Sequence, residues 1–158
     1  MEIRNASPSD IADIVRLMRE FAVYENLEDY CEITAEKLFA SMFGDQAFVE
    51  GLIATANGGA FGYALFYPSF ASFRGERGFY LEDIYIGDEH RGKGIGEEML
   101  RHIARTALER GFERIDFQVL DWNTNAIEFY KKLGAVSNQD ESHFKFSGDA
   151  FAGLAGSS

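Results

Sequence analysis

Apolar residues recur along this chain either every third or fourth position or in short dense runs, and these patterns lay out its elements. Glu2 to Asn5 reads as a short strand. Ser7-Pro8-Ser9-Asp10 is a helix start, with Ser7 or Ser9 as its cap. From Asp10 to Tyr24, Ile11, Ile14, Val15, Leu17, Met18 and Phe21 fall on one side of a helix. An acidic turn, Tyr24 to Tyr30, leads through Glu32 to Thr34, where a second helix begins and reaches about Phe43. Phe48 to Ala56 and Ala60 to Tyr67 read as strands joined by the hairpin turn Asn57-Gly58-Gly59. Pro68 to Gly78 reads as a loop over an open end of the sheet. Phe79 to Ile86 is a strand with Glu82 and Asp83 in its middle. The next helix repeats Ile95, Met99, Ile103 and Ala107, flanked by Leu100, Ala104 and Leu108, and stops at Gly111. Arg114 to Leu120 is a strand, Asp121-Trp122-Asn123 a turn, and a helix starts at Asn123 or Thr124 and ends at Leu133-Gly134. His143 to Phe146 reads as a last strand. The order β-α-α-β-β-β-α-β-α-β predicts a mixed α/β sheet with helices on both faces.

Composition narrows the class. A length of 158 residues predicts one domain, residues 1–147, followed by a small, Gly/Ala/Ser-rich tail, 148–158, expected to fray. Hydrophobic residues make up 46% and aromatics 15%, which excludes a disordered chain. The net charge of -11 argues against nucleic acid and favours a cationic small substrate, although solubility alone also accounts for it. The lone Cys31 rules out an internal disulfide and fits a reducing cytoplasm. Nothing near Met1 resembles a signal peptide, and no apolar run approaches membrane-spanning length. His90, His102 and His143 show no metal-ligand spacing, so no metal is expected.

The chemistry concentrates between Phe79 and Gly111. Arg91-Gly92-Lys93-Gly94-Ile95-Gly96 lies where a strand turns into a helix. Such a turn presents backbone N–H groups at the positive end of a helix dipole, and glycine allows close approach. With Arg91 and Lys93 adding charge, it is suited to a pyrophosphate. It lacks the Gly-Lys-Ser/Thr of a P-loop, and Met99 occupies the place of the third glycine of a dinucleotide fingerprint. Further on, Ala126, Tyr130 and Gly134 are four apart on a helix; on pattern alone Tyr130 reads as a packed aromatic.

The Arg-x-x-Gly-x-Gly loop after a strand resembles the acetyl-coenzyme A loop of the Gcn5-related (GNAT) N-acetyltransferases. Asn123-x-x-Ala126-x-x-Phe129-Tyr130-x-x-x-Gly134-Ala135 resembles the second coenzyme A motif of the same family. Tyr24-Glu25, Tyr80-Leu81-Glu82-Asp83-Ile84-Tyr85 and Leu120-Asp121-Trp122-Asn123 are similar to the spermidine/spermine (diamine) acetyltransferases, the last closest to the thialysine branch. The last segment departs: relatives carry a tryptophan there, and this chain reads Glu141-Ser142-His143-Phe144.

The resemblance implies a mostly antiparallel sheet with a parallel, splayed strand pair, and acetyl transfer from acetyl-CoA to the amine of a small cationic substrate. It implies that Ile84, Tyr85 and Ile86 pair with the pantetheine arm. Arg91, Gly92, Lys93, Gly94, Ile95, Gly96 and Glu97 would hold the pyrophosphate, and Asn123, Ala126 and Tyr130 would also contact the cofactor. Tyr130 would protonate the leaving thiolate, and Glu82 would take the proton from the amine. Tyr24, Glu25, Glu82 and Asp83 would line the substrate. In a regular strand Asp83 points away from Glu82, so sharing one site requires a bulge. Glu28, Asp29 and Glu32 could bind the distal ammonium of a diamine, but each taken singly reads better as part of a solvated turn. Relatives imply a homodimer, with Phe144 and Phe146 near the partner. The competing readings are a GNAT acting on a protein or antibiotic amine, and an acetyl-CoA sensor without chemistry.

Overall fold

The computed structural model describes residues 1–138 and 140–156, which divide into two compact units, Met1–Gln118 and Val119–Ser158. Ser157 and Ser158, the end of the expected tail, lie outside the described residues.

The first unit is built on a five-stranded sheet in the order β1-β2-β3-β4-β5: Glu2–Asn5, Glu50–Ala56, Gly59–Ala71, Glu76–Ile86 and Arg114–Asp116. The first four strands are antiparallel neighbours, and β4 pairs with β5 in parallel. Alternation sends successive side chains to opposite faces. On one face Leu52, Ala54, Ala64, Phe66, Phe79 and Leu81 pack under α3 (Ile95–Glu109), which contributes Ile95, Met99, Ile103 and Ala107. On the other, Ile53, Tyr63, Leu65 and Tyr85 pack under α1 (Ile11–Tyr24) and α2 (Ala35–Phe43). The mixed sheet with helices on both faces, mostly antiparallel with one parallel pair, is as the sequence and the resemblance imply.

Local signals explain the boundaries. Asp10 joins β1 to α1: Arg4 donates to both carboxylate oxygens at 2.7 and 3.0 Å, and the Ser7 N–H donates at 2.7 Å. These partners, Arg4 first, hold the Asp10 carboxyl down at about 2. Thr34 caps α2 by accepting from the Lys37 N–H at 3.2 Å. Asn57 and Gly58 both take positive φ, 52° and 78°, in the turn between β2 and β3.

Two segments differ from expectation. Residues 68–78 are not a loop: β3 runs on to Ala71 and β4 starts at Glu76, so they form the far end of a hairpin. Pro68 misleads the reading, yet it is tolerated because β2 reaches no further than Phe66 along β3, leaving Pro68 on an edge. The strand β5 stops at Asp116 instead of Leu120.

In the second unit, α4 (Thr124–Lys132) is capped by Asn123, whose side-chain oxygen accepts from the Ala126 N–H at 3.3 Å. Gly134, with φ of 99°, follows its end. Residues 143–146 form no strand, and Gly148–Leu154, expected to fray, is a helix, α5. No helix among the described residues is long and apolar enough to cross a membrane.

Candidate active site

The site is organised by one irregularity in β4. From Ala71↔Glu76 to Phe66↔Leu81 the β3–β4 register is unbroken; the next pair is Leu65↔Asp83, so Glu82 is an extra residue on β4. This bulge turns Glu82 and Asp83 to the same face. Tyr67 donates its hydroxyl to Glu82 at 3.1 Å, and Tyr63 donates to Asp83 at 2.9 Å. Tyr63 and Tyr67 lie two pleats apart on β3 and share the α1 side. The strand thus carries the bulge that a shared site for Glu82 and Asp83 requires.

The electrostatics follow from that crowding. Burial, opposed by the Tyr63 hydrogen bond and assisted by the charges of Glu82 and Glu25, pushes the Asp83 carboxyl up to about 6. Burial also pushes the half-buried Glu25 carboxyl up. Tyr63, completely buried, is driven well above the usual phenol range by burial and by Asp83, and Tyr67 is pushed to about 12 by burial and Glu82. Both phenols thus stay protonated as donors while Asp83 exchanges its proton near neutrality. Burial first, then Glu82, also raises the Tyr80 hydroxyl.

The strand edge beside this cluster is open. The β4–β5 pairing covers Gly78, Phe79 and Tyr80 and ends there, so among the described residues no strand pairs with Leu81 to Ile86 on that side. Gly78 permits the close approach: a Cβ on it would stand 2.4 Å from the Arg114 carbonyl oxygen. An extended ligand arm can add to such an edge as a strand would. Ile84, Tyr85 and Ile86 all lie on it.

The edge leads into the glycine loop. Gly92 and Gly94 take φ of 75° and 79°, with open space where a Cβ would stand. Glycine is required there by the backbone, since left-handed φ strains other residues. The first bond of α3 runs from the Glu98 N–H to the Gly94 oxygen at 3.0 Å, so the N–H groups of Ile95, Gly96 and Glu97 precede any helical acceptor. With exposed Lys93 nearby, they fit a pyrophosphate. Glu97 and Glu98 in that first turn are paired with Arg101 at 2.7 Å and Arg105 at 2.9 Å.

The Arg91 side chain packs at the end of β4. Its Nε donates to the Ile86 oxygen at 2.8 Å, its head group pairs with Asp88, and it lies over the rings of Tyr24 and Tyr85 at 4.4 and 5.4 Å. Asn123, Ala126 and Tyr130 belong to the second unit. There Asn123 is buried and engaged as the α4 cap, and Tyr130 meets Phe129 edge-on at 5.2 Å.

Tyr63 and Tyr67 escaped the sequence reading. Their signal is register: counted back from the Ser72–Gly75 turn, Tyr67 opposes Tyr80, and beyond the bulge Tyr63 opposes Tyr85. No cluster of three metal-ligating side chains occurs among the described residues.

Comparison with known proteins agrees with this architecture. The model of the acetyltransferase (GNAT) family matches residues 12–135. A thialysine N-epsilon-acetyltransferase of Bos taurus is 41% identical, over 98% of this chain and 96% of its own length. A spermidine/spermine N(1)-acetyltransferase-like protein of Homo sapiens is 34% identical over 89% of this chain and 21% of its own. Among solved structures, an integron cassette protein from the mobile metagenome of V. cholerae superposes with a TM-score of 0.82 at 24% identity, covering 99% of this chain and 98% of its own. The chain is an acetyltransferase and belongs to the GNAT family.

Proposed function

We propose that this protein transfers the acetyl group of acetyl-CoA to the amine of a small cationic substrate, a diamine or polyamine or a thialysine-like amino acid, by direct attack in a ternary complex. The observation that carries this reading is the bulge that gathers Glu82 and Asp83 on one face, within reach of the Glu25 charge. Two carboxylates on one face, with a third acting on Asp83, attract an ammonium group and can also deprotonate it. The named relatives, thialysine and spermidine/spermine-like acetyltransferases, support the substrate class.

The amine must lose a proton before it attacks, and a free alkylamine holds that proton to a pH of about 10.4. Asp83, poised at about 6, is the stronger candidate to accept it; Glu82 is the second, directly or through water. Tyr63 orients the Asp83 carboxylate by its hydrogen bond. The nitrogen lone pair then attacks the thioester carbon, a backbone N–H near Tyr85 or Ile86 stabilises the oxyanion, and the carbon–sulfur bond breaks. Tyr130 would give its proton to the departing thiolate and be reprotonated from solvent. The nitrogen, positively charged after attack, releases its second proton to solvent to leave the neutral amide. The N–H groups of Ile95, Gly96 and Glu97, with Lys93 and the φ-positive glycines, would hold the pyrophosphate, and the open edge at Ile84 to Ile86 the pantetheine arm. Positioning the two substrates in one cleft supplies much of the rate.

The protein would act in the cytoplasm as a homodimer, the exposed Phe144 and Phe146 serving the contact. A monomer by light scattering at micromolar concentration would exclude that contact.

A thiol-release assay with acetyl-CoA tests the function against spermidine, putrescine, thialysine, lysine, an aminoglycoside and a basic peptide. Release with a small diamine or thialysine is the expected result. Release only with the aminoglycoside or the peptide would replace the substrate class. Silence across the panel with measurable CoA binding would favour an acetyl-CoA sensor.

A further inference from the structure

We infer that Arg91, the residue the loop pattern assigns to the pyrophosphate, is instead a positioning residue for the amine side of the site. Its side chain is committed in that direction on every contact the structure gives it. Nε holds the Ile86 carbonyl at the end of β4, and the head group pairs with Asp88 of the following turn. Its face covers Tyr24, the last residue of α1, at 4.4 Å and Tyr85 of β4 at 5.4 Å.

These contacts close a stack. Phe21 of α1 lies on Tyr85 with ring centroids 5.2 Å apart, so Phe21, Tyr85, Arg91 and Tyr24 fasten the end of α1 to the end of β4. Glu25 is the next residue. The backbone around it is turned sharply: Asn26 takes a left-handed φ of 59°, and the Leu27 N–H returns to the Ala22 oxygen at 2.8 Å. The Glu25 carboxylate, half-buried, acts on both Tyr63 and Asp83. The placement of this carboxylate beside Asp83 depends on where α1 ends, and Arg91 fixes that end from the side. The planar, delocalised guanidinium can donate in its plane while stacking through its faces; an ammonium group cannot. The inference rests on the reading of Glu25 and Asp83 as the amine site.

The test compares Arg91→Ala, Arg91→Lys and Tyr24→Leu with the wild type. CoA affinity is measured by calorimetry, the KM values for amine and acetyl-CoA by thiol release, and protection of the Glu25 to Leu27 amides by hydrogen exchange in the unliganded protein. Arg91→Ala should raise the amine KM about tenfold, the size of one cation–π contact, and change CoA affinity less than twofold. Lysine should not rescue it. Tyr24→Leu should reproduce the effect, and the double variant should add little to either. A tenfold loss of CoA affinity with an unchanged amine KM would restore the pyrophosphate role and overturn the inference. Equal losses on both sides would mark a merely structural residue and overturn it as well. The exchange measurement needs no acceptor: faster exchange at Glu25 to Leu27 in Arg91→Ala supports the positioning role even if no amine is acetylated, and unchanged protection refutes it.

Discussion

Asp83→Asn should stabilise the folded protein while impairing its chemistry. The Asp83 carboxyl titrates at about 6 in the fold against an ordinary 3.8. That difference is roughly two pH units, each worth about 1.4 kcal/mol, so holding Asp83 ionised costs the folded state about 3 kcal/mol at pH 8. The sign follows from proton binding. At pH values from 3.8 to about 6 the folded state keeps a proton that the unfolded chain has released, so stability falls as pH rises through that window and stays lowered above it. Asparagine carries no charge and can still accept the Tyr63 hydroxyl through its oxygen. It also removes the repulsion with Glu82 and Glu25. Urea denaturation should therefore show Asp83→Asn more stable by about 2–3 kcal/mol at pH 8 but only by about 0.5 kcal/mol at pH 4. A melting temperature about 5–10 °C higher at pH 8 corresponds to the same gain. Thiol release with the best amine of the panel should fall at least about 100-fold, the usual worth of a positioned base. An equal stability change at both pH values, or a loss at pH 8, would refute the account of Asp83 as a charge held against its solvation.

Other perturbations probe other parts of the fold. Asp10→Ala removes both the Arg4 pair and the Ser7 cap and should cost about 3–4 kcal/mol in urea at pH 7; because the native carboxyl sits at about 2, the wild-type advantage should persist at pH 5 and fade as pH falls from 4 towards 2. Gly78→Ala drives a Cβ to 2.4 Å from the Arg114 oxygen and should cost about 1–3 kcal/mol, with faster hydrogen exchange in β5. Gly94→Ala meets no neighbour, so its stability cost should be only the about 1–2 kcal/mol of a left-handed backbone, measured by denaturation, with CoA binding weakened in calorimetry. Tyr130→Phe should slow turnover in the thiol-release assay with little loss of CoA affinity, as for a group that acts in the transition state.

The parts legible in the sequence are those with a local cause. The helices α1, α2 and α3 follow from periodic apolar positions: Ile95, Met99, Ile103 and Ala107, four apart in sequence, are all buried. The glycine loop is equally legible, because Gly92 and Gly94 meet a backbone requirement that no other residue meets without strain. What failed has a non-local cause. Pro68 and the exposed Phe70 and Phe73 look like a loop unless one knows that β2 has already ended. The loop motif says nothing of where the Arg91 side chain packs, because its contacts run to Tyr24, 67 positions earlier, and to Tyr85. Residues 143–146 form no strand, since a β-like composition alone does not make one.

The bulge at Glu82 shows why the chemistry of a site can hide in a sequence that displays its residues openly. Strict alternation sends Glu82 and Asp83 to opposite faces, with Asp83 following Leu81 towards the apolar core under α3. The extra residue at Glu82 shifts every later pair of β4 by one, so that Asp83 and Tyr85 face α1 while Ile84 and Ile86 face α3. Only after that shift do Tyr63 and Tyr67 meet one carboxylate each, and only then does the charge of Glu82 bear on Asp83. The same shift lets Ile84 and Ile86 stay with the core under α3, so the folded core tolerates the irregularity. The bulge therefore converts two adjacent acids into a coupled pair without giving up the apolar pattern that holds the strand in place. Deleting Glu82 would restore the ladder, but it would remove one of the two carboxylates and leave Asp83 without its like-charged neighbour.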